Sequence, residues 1–428
     1  MGVAFAVLGG YASAQVEVNS ALRDSVERQA ERYVVLTLAL AQRFPTEVDA
    51  YFGPRSLNDR ATRSSPTLQQ LQRSTQRLLE ELRLPRDRNP RRAELLQRVT
   101  SFDALLRTMS DPGKNTFDEE ARSVYDIEAV PLDPAALSRA RRQLDRLLPG
   151  SGSLAERVDR FRGRFVIPLG SRAAVFERAM KECRARTLAQ WQLPQEETLD
   201  VTLTRDVQSA WHRYEGHYHS TLKVNPEAVA FLGSAIDVAC HEGYPGHHTQ
   251  FVLMELEAGP TGLSVEKTVV LLRSPISLLR EGAADYGVDL VFPPAERLAF
   301  ERDVLFPLAG LDAADAAKYG MVHRLVRELG SSVVPILRAY RDHRLATDRA
   351  GGELQRAALV SSPGPLLAFV DQLGPFVLGY TVVHEQVDRY IETRSKLSGQ
   401  DPWSILRRIL AREDLHPLEP DGQWRFPN

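Results

Sequence analysis

Residues Cys240 to Gln250 read CHEGYPGHHTQ, a helical run with a proline inside it. That proline decides what the run can become. Zinc hydrolases carry His-Glu-x-x-His because residues four apart on a helix project the same way, about 6 Å apart along the axis. Two imidazoles can then grip one ion while the adjacent glutamate faces a water. Here the position four after His241 is Pro245, and the next histidines are His247 and His248. On a regular helix His247 would be rotated about 120° from His241 and lie about 9 Å along the axis. His248 would face the right way but about 10 Å off, close to the limit for two imidazoles on one ion. A regular helix fails.

Tyr244-Pro245-Gly246 offers a repair. Pro245 cannot donate its N–H to the carbonyl of His241, and its ring crowds that turn. Tyr244 is pushed away from helical angles, and Gly246 can adopt a conformation closed to other residues. If two residues bulge out here, His247 occupies the place of the second histidine in the simple motif. His248 remains a rival for that place. The competing reading is a helix terminus with exposed imidazoles.

A second segment, Ser274 to Gly287, places Glu281 in a helix rich in small residues: Gly282, Ala283, Ala284 and Gly287. Small residues let another helix approach closely, and a carboxylate on such a helix needs a partner. A third zinc ligand is one explanation, a surface pair with Arg280 another. Asp285, one turn on, could accept a hydrogen bond from a ligand imidazole.

The string HEGYPGHH, followed a few tens of residues later by EGAADYG, resembles the bacterial domain-of-unknown-function family 885. The resemblance runs from Tyr51-Phe52-Gly53-Pro54 to the end of the chain. That family is helical and is similar to zinc peptidases with a His/His/Glu site, such as the carboxypeptidase Taq and angiotensin-converting enzyme groups. The resemblance implies His241, His247 and Glu281 as ligands of one Zn2+ and Glu242 as general base. The family's usual EGWA is departed from at Ala283, which alters the pocket wall. The C-terminal LGPFVLGYTVVHEQV is similar to the family's PGQALAYKIG, with Phe376 and Val383 in place of its Gln and second Gly. Tyr380 falls on its tyrosine, where a phenol can donate to an oxyanion; a half-buried helix tyrosine is the alternative.

Most of the chain reads as helix: Val18–Phe44, Thr67–Leu82, Arg91–Met109, Asp133 (as N-cap) to Leu148, Ser171–Thr187, and Pro226 through the histidines. Further stretches are Val265–Val291, Ala313–Leu329, Pro375–Lys396 and Pro402–Ala411. Two stretches, Leu199–Thr204 and Tyr214–Val224, read as strands of a small antiparallel sheet at about 197–225, beside the metal helix. In related metallopeptidases an edge strand pairs with an extended substrate. His217 and His219 alternate with Tyr218 and so share one strand face, where they could line the cleft and bind substrate; a solvated face is the alternative. The fold class is therefore mainly α, a large zincin-like helical fold with a central cleft. Its regions are 1–15 (a truncated signal peptide or a loose tail), 16–115 (helical) and 116–428 (metallohydrolase).

Net charge is −2, and only six of the 54 basic residues are lysine. No overall field recruits nucleic acid or an acidic membrane. After the N-terminus no stretch of some twenty uncharged apolar residues suggests a transmembrane span. MGVAFAVLGGYASAQ ends like a signal-peptide cleavage site but lacks a positive n-region, leaving export and a cytoplasmic location both open. Two cysteines are too few for a disulfide scaffold. Cys240 reads as a small buried hydrophobe, with a thiolate ligand as the alternative. His323, His343 and His416 read as ordinary, and His384-Glu385 as lying beyond the ligand set. The function expected is a zinc metallopeptidase acting on a peptide or small amide. Hydrolysis of a non-peptide amide or ester, or a metal-binding scaffold without turnover, are the alternatives.

Overall fold

The computed structural model describes residues 25–84, 89–128, 133–207, 209–228 and 230–413. The expected signal-like segment and His416 lie outside them. The fold is mainly α, as expected, with five strands among the described residues: β1 (Val48–Tyr51), β2 (Thr198–Leu203), β3 (Ala210–Gly216), β4 (His219–Val224) and β5 (Val269–Leu271). The chain divides into two compact units. One holds the described residues up to Pro112 together with Leu263–Ser274; the other holds Gly113–Gly262 and those from Pro275 onward.

In the first unit, helices occupy 25–41, Arg55–Thr62, Leu68–Arg83 and Pro90–Ser110. Thr67 and Gln70 form a reciprocal capping box, and Asn89 caps a helix that Pro90 opens. Both devices satisfy N–H groups that the first helical turn leaves without partners. The excursion Leu263–Ser274 corrects the single helix expected over Val265–Val291. It forms a 3-10 turn, Val265–Thr268, then β5, antiparallel to β1. Consecutive Val269 and Val270 suit a pleated strand better than a helix. Two forked ion pairs fix the excursion, Arg91 on Glu266 and Arg273 on Glu47. Pro275 then starts the helix Pro275–Val291.

The second unit is a helical array around a core that includes Ile236, Ala239, Tyr244, Val288, Phe292, Phe306 and Tyr319. Capping boxes at Thr116/Glu119 and Ser153/Glu156 start two of its helices, and Asp133 caps Pro134–Leu147. Its sheet has the order β2-β4-β3. The expected strand Tyr214–Val224 is instead a hairpin, because His217 and Tyr218 both take positive φ (53° and 60°) and reverse the chain. Glu255 accepts from the N–H groups of both turn residues, and Tyr214 donates its hydroxyl to the same carboxylate. Three charge-assisted contacts hold a two-residue turn that is otherwise left to Asn and Gly. β2 joins β4 in parallel, so the sheet is mixed rather than antiparallel.

One stretch, Pro363–Ser398, is long and apolar enough by composition to cross a membrane, which the sequence reading did not foresee. Its most apolar window is 67 % buried within the protein. It is also broken into helix, 3-10 and π-helical segments, as a core run can be.

Candidate metal centre

The helix Leu232–Glu242 stops where the sequence demands. Gly243 leaves helical angles (φ −103°, ψ −90°), the Tyr244–Pro245 bond is cis, and a new helix, His247–Ala258, begins after Gly246. The loop is closed by its own backbone: the N–H of Gly246 donates to the carbonyl of Cys240, and the N–H and hydroxyl of Thr249 donate to the carbonyl of Gly243. A Cβ at Gly246 would lie 1.7 Å from the His241 carbonyl oxygen, so only glycine fits this close approach.

The small residues on Pro275–Val291 serve the same end. A Cβ at Gly282 would meet Val383 at 2.6 Å, and one at Gly287 would meet the Pro245 ring at 2.9 Å. The helix carrying Glu281 is thus seated against both the looped residues and the segment of Tyr380. That tyrosine stands in a π-helical turn, Gly379–Val383, a distortion common at functional sites.

The result is convergence. One ligand atom from each of His241, His247 and Glu281 lies within 4.8 Å of the others. Nε2 of His241 is 3.2 Å from the Glu281 carboxylate, and Nε2 of His247 is 3.6 Å from the same oxygen. Nδ1 of His241 lies 2.8 Å from Asp285, which can only accept. Nδ1–H therefore donates to Asp285, and Nε2 faces Glu281, where it holds either a proton or a cation. Lone pairs converging with a carboxylate call for a positive charge between them. Two imidazoles and one carboxylate are a donor set that suits zinc.

Electrostatics agree. Burial alone would hold the His241 pKa down, but the hydrogen bonds to Asp285 and Glu281, with the charge of Glu242 adding, lift it well above the imidazole range. Burial opposes ionisation of Glu281, yet His247 and His241 hold its carboxyl far below the usual range. Although 39 % of Tyr380 is exposed, desolvation and the neighbouring Glu281 push its phenol above its ordinary value, so it keeps its proton. Its ring stacks beside that of His241, with centroids 6.2 Å apart. Glu242, half-buried, closes the helix one residue after His241.

The other candidates fall elsewhere. His248 is fully buried and bonds Ser220 and Glu197, not the ligand cluster, because the new helix turns it away from His247. His217 and His219 do not share a strand face: His217 is in the hairpin turn, and the His219 ring bonds Asp200 on the face opposite Ser220. His384 pairs with Asp289, which Arg327 also grips. Cys240 is neither a ligand nor a free hydrophobe. It forms a disulfide with Cys183 and joins the helix Leu232–Glu242 to Arg172–Leu188. Their separation of 57 residues hid the pairing from the sequence. Sequence reasoning also missed His212, an inward-facing residue of β3 whose ring lies 6.0 Å from that of His247. Its inward alternation with Tyr214 was the one available signal.

No family model matches the chain, and no curated protein does. Among solved structures, the "putative lipoprotein from Colwellia psychrerythraea" is similar at 15 % identity, with a TM-score of 0.49. The match covers 81 % of this chain, which spans 65 % of that protein's length.

Proposed function

We propose that this chain is a zinc-dependent hydrolase of peptide or related amide bonds, built on the pattern of the domain-of-unknown-function family 885. The observation that carries the reading is the convergence of His241, His247 and Glu281 across an interrupted helix, with Asp285 behind His241. His241, His247 and Glu281 would hold the cation. When bound, zinc supplies Lewis-acid polarisation of a carbonyl and makes water more acidic.

The chain's own residues do the rest. Asp285 keeps the His241 proton on Nδ1. Glu242 takes a proton from the attacking water as its oxygen bonds to the carbonyl carbon, and delivers that proton to the amine as the C–N bond breaks. Tyr380, protonated at neutral pH, donates a hydrogen bond to the carbonyl oxygen as charge develops there. The Cys183–Cys240 disulfide supports residence in an oxidising compartment.

Metal analysis of the purified protein, followed by digestion of a mixed peptide pool by wild type and Glu242→Gln, tests the reading. The expected result is one zinc per chain in both proteins and new peptide ends with wild type alone. Zinc in both, with neither changing the pool, would redirect the site to a non-peptide amide or ester or to a scaffold role. Absence of stoichiometric zinc would end the reading.

A further inference from the structure

His248 follows a ligand yet faces away from it, and where it points is informative. Its Nε2 lies 3.0 Å from Glu197 and its Nδ1 lies 2.8 Å from the hydroxyl of Ser220. That hydroxyl lies 3.0 Å from Nε2 of His212. Glu197, His248, Ser220 and His212 thus form one unbroken line, with His248 and Ser220 wholly buried and His212 7 % exposed. The far end is anchored. Glu197 also accepts from Tyr244 and from Arg184.

The near end is beside the metal centre. The His212 ring lies 6.0 Å from the ligand His247 and stacks at 6.0 Å on Phe251. Held through Nε2 and flanked by two rings, it cannot turn freely. Its other nitrogen, Nδ1, has no partner among the described residues and is not sealed from solvent. A ring this buried is costly to hold with one polar atom unsatisfied unless something else satisfies it.

We propose that His212 is a substrate-binding residue, offering Nδ1 to an amide of the substrate next to the scissile bond, and that His248 is the positioning residue that holds it there through Ser220. This rests on the hydrolase reading above. It gives the second histidine of the GHH string a role that metal ligation does not supply.

Two substitutions separate positioning from packing. The side-chain amide of Asn falls near the Nδ1 position of histidine and that of Gln near Nε2. His248→Asn therefore keeps the Ser220 link and loses Glu197, whereas His248→Gln does the reverse. The probe is benzyloxycarbonyl-glycyl hydroxamate, a metal-binding group carrying one amide, titrated into the cobalt-loaded full chain and followed by visible absorption. Acetohydroxamate, which lacks that unit, is the reference. His212→Ala should bind the glycyl probe about tenfold more weakly, as loss of one hydrogen bond predicts. Its binding of acetohydroxamate and cobalt should stay within about threefold of wild type.

His248→Gln should follow His212→Ala, whereas His248→Asn should bind the probe like wild type while melting at the lower temperature of the two, since it strips a partner from Glu197. Unchanged glycyl-probe binding in His212→Ala would overturn the assignment. Probe affinity that merely tracks melting temperature across the His248 pair would overturn the positioning role. Failure of wild type to take up cobalt would sink the hydrolase reading first, and is recognisable as such because no probe then binds.

Discussion

Adjacent residues on one helix, His247 and His248, belong to two histidine–carboxylate clusters with opposite accounts of their charge. Around His248 every group is answered. The Glu197 carboxylate takes hydrogen bonds from His248, Tyr244 and Arg184, and Ser220 occupies the other ring nitrogen. Around His247 the same residue types are left facing one another, with two imidazoles turned to Glu281 and an additional carboxylate, Asp285, behind. Composition does not separate the two, and although the His248 cluster is the more deeply buried, depth alone does not set the contrast. The direction of the contacts does: one cluster is closed on itself, and the other would be completed by the cation proposed for it.

The sharpest way to break that contrast is to remove one histidine at a time. His247→Ala should weaken zinc affinity by well over the ~10–100-fold expected of an outer-shell partner. His248→Asn should leave it within about threefold, measured by competition against a chelator. Comparable losses in both would mean that the two clusters are one site.

Smaller effects should split along the same line. Asp285→Asn removes the acceptor that orients His241, so zinc affinity should fall ~10–100-fold. Glu197→Gln should instead cost about 1–3 kcal/mol by denaturant unfolding, as leaving buried donors without their acceptor does, while zinc affinity holds. A Glu197 variant that unfolds no more easily than wild type would show the closed cluster to be dispensable.

The division between the clusters also marks what the sequence could convey. Proline at position 245 told that the helix must break, and rotation per residue told that His241 and His247 could meet only if it did. Both are local, and so is the small-residue surface of Pro275–Val291 that seats Glu281. What escaped was long-range. Glu197 lies 51 residues from His248, and Cys183 lies 57 from Cys240, with no pattern tying either pair. His217 and His219 were misjudged because alternation assumes a continuous strand. The turn at 217–218 depends on Glu255, which is 38 residues further on. Likewise, Val265–Leu271 carries apolar residues that suit helix or strand alike, and pairing with β1 decides between them.

Acid and base should act on the clusters in opposite directions. In metal-free protein the His241 pKa stands well above 6.5, since Asp285 and Glu281 outweigh burial. A raised folded pKa contributes stability that is complete below 6.5 and is lost as pH climbs through the raised value. Glu197 is the reverse: burial would raise it, but His248, Tyr244 and Arg184 bring it from 4.5 to about 2. Its contribution is complete above 4.5 and is lost as pH falls toward about 2. Melting temperature against pH should therefore show an alkaline decline that Asp285→Asn flattens and an acid decline that Glu197→Gln flattens. Saturating zinc should remove the alkaline decline alone, because the cation takes the place of the proton on His241 and binds better as pH rises. A zinc effect confined to the acid side would reverse the assignment of the two clusters.

The finest distinction concerns the packing that makes convergence possible. Alanine at Gly287 would place a methyl group 2.9 Å from the Pro245 ring, pressing on the loop that brings His247 round. Overpacking of this kind costs about 1–3 kcal/mol, whereas replacing a mid-helix glycine by alanine returns about 1 kcal/mol in helix propensity. The two nearly cancel, so the melting temperature should move little. Zinc affinity, which depends on where the loop stands, should still fall a few-fold. Gly352→Ala is the matching control: it lies within the helix Thr347–Ala358, and a Cβ there meets nothing within 4 Å. It should gain the propensity and leave zinc untouched. If Gly287→Ala behaves like Gly352→Ala in both measurements, the Pro245 loop is not held by the Glu281 helix, and the convergence of His247 must be fixed by its own backbone closure through Gly246.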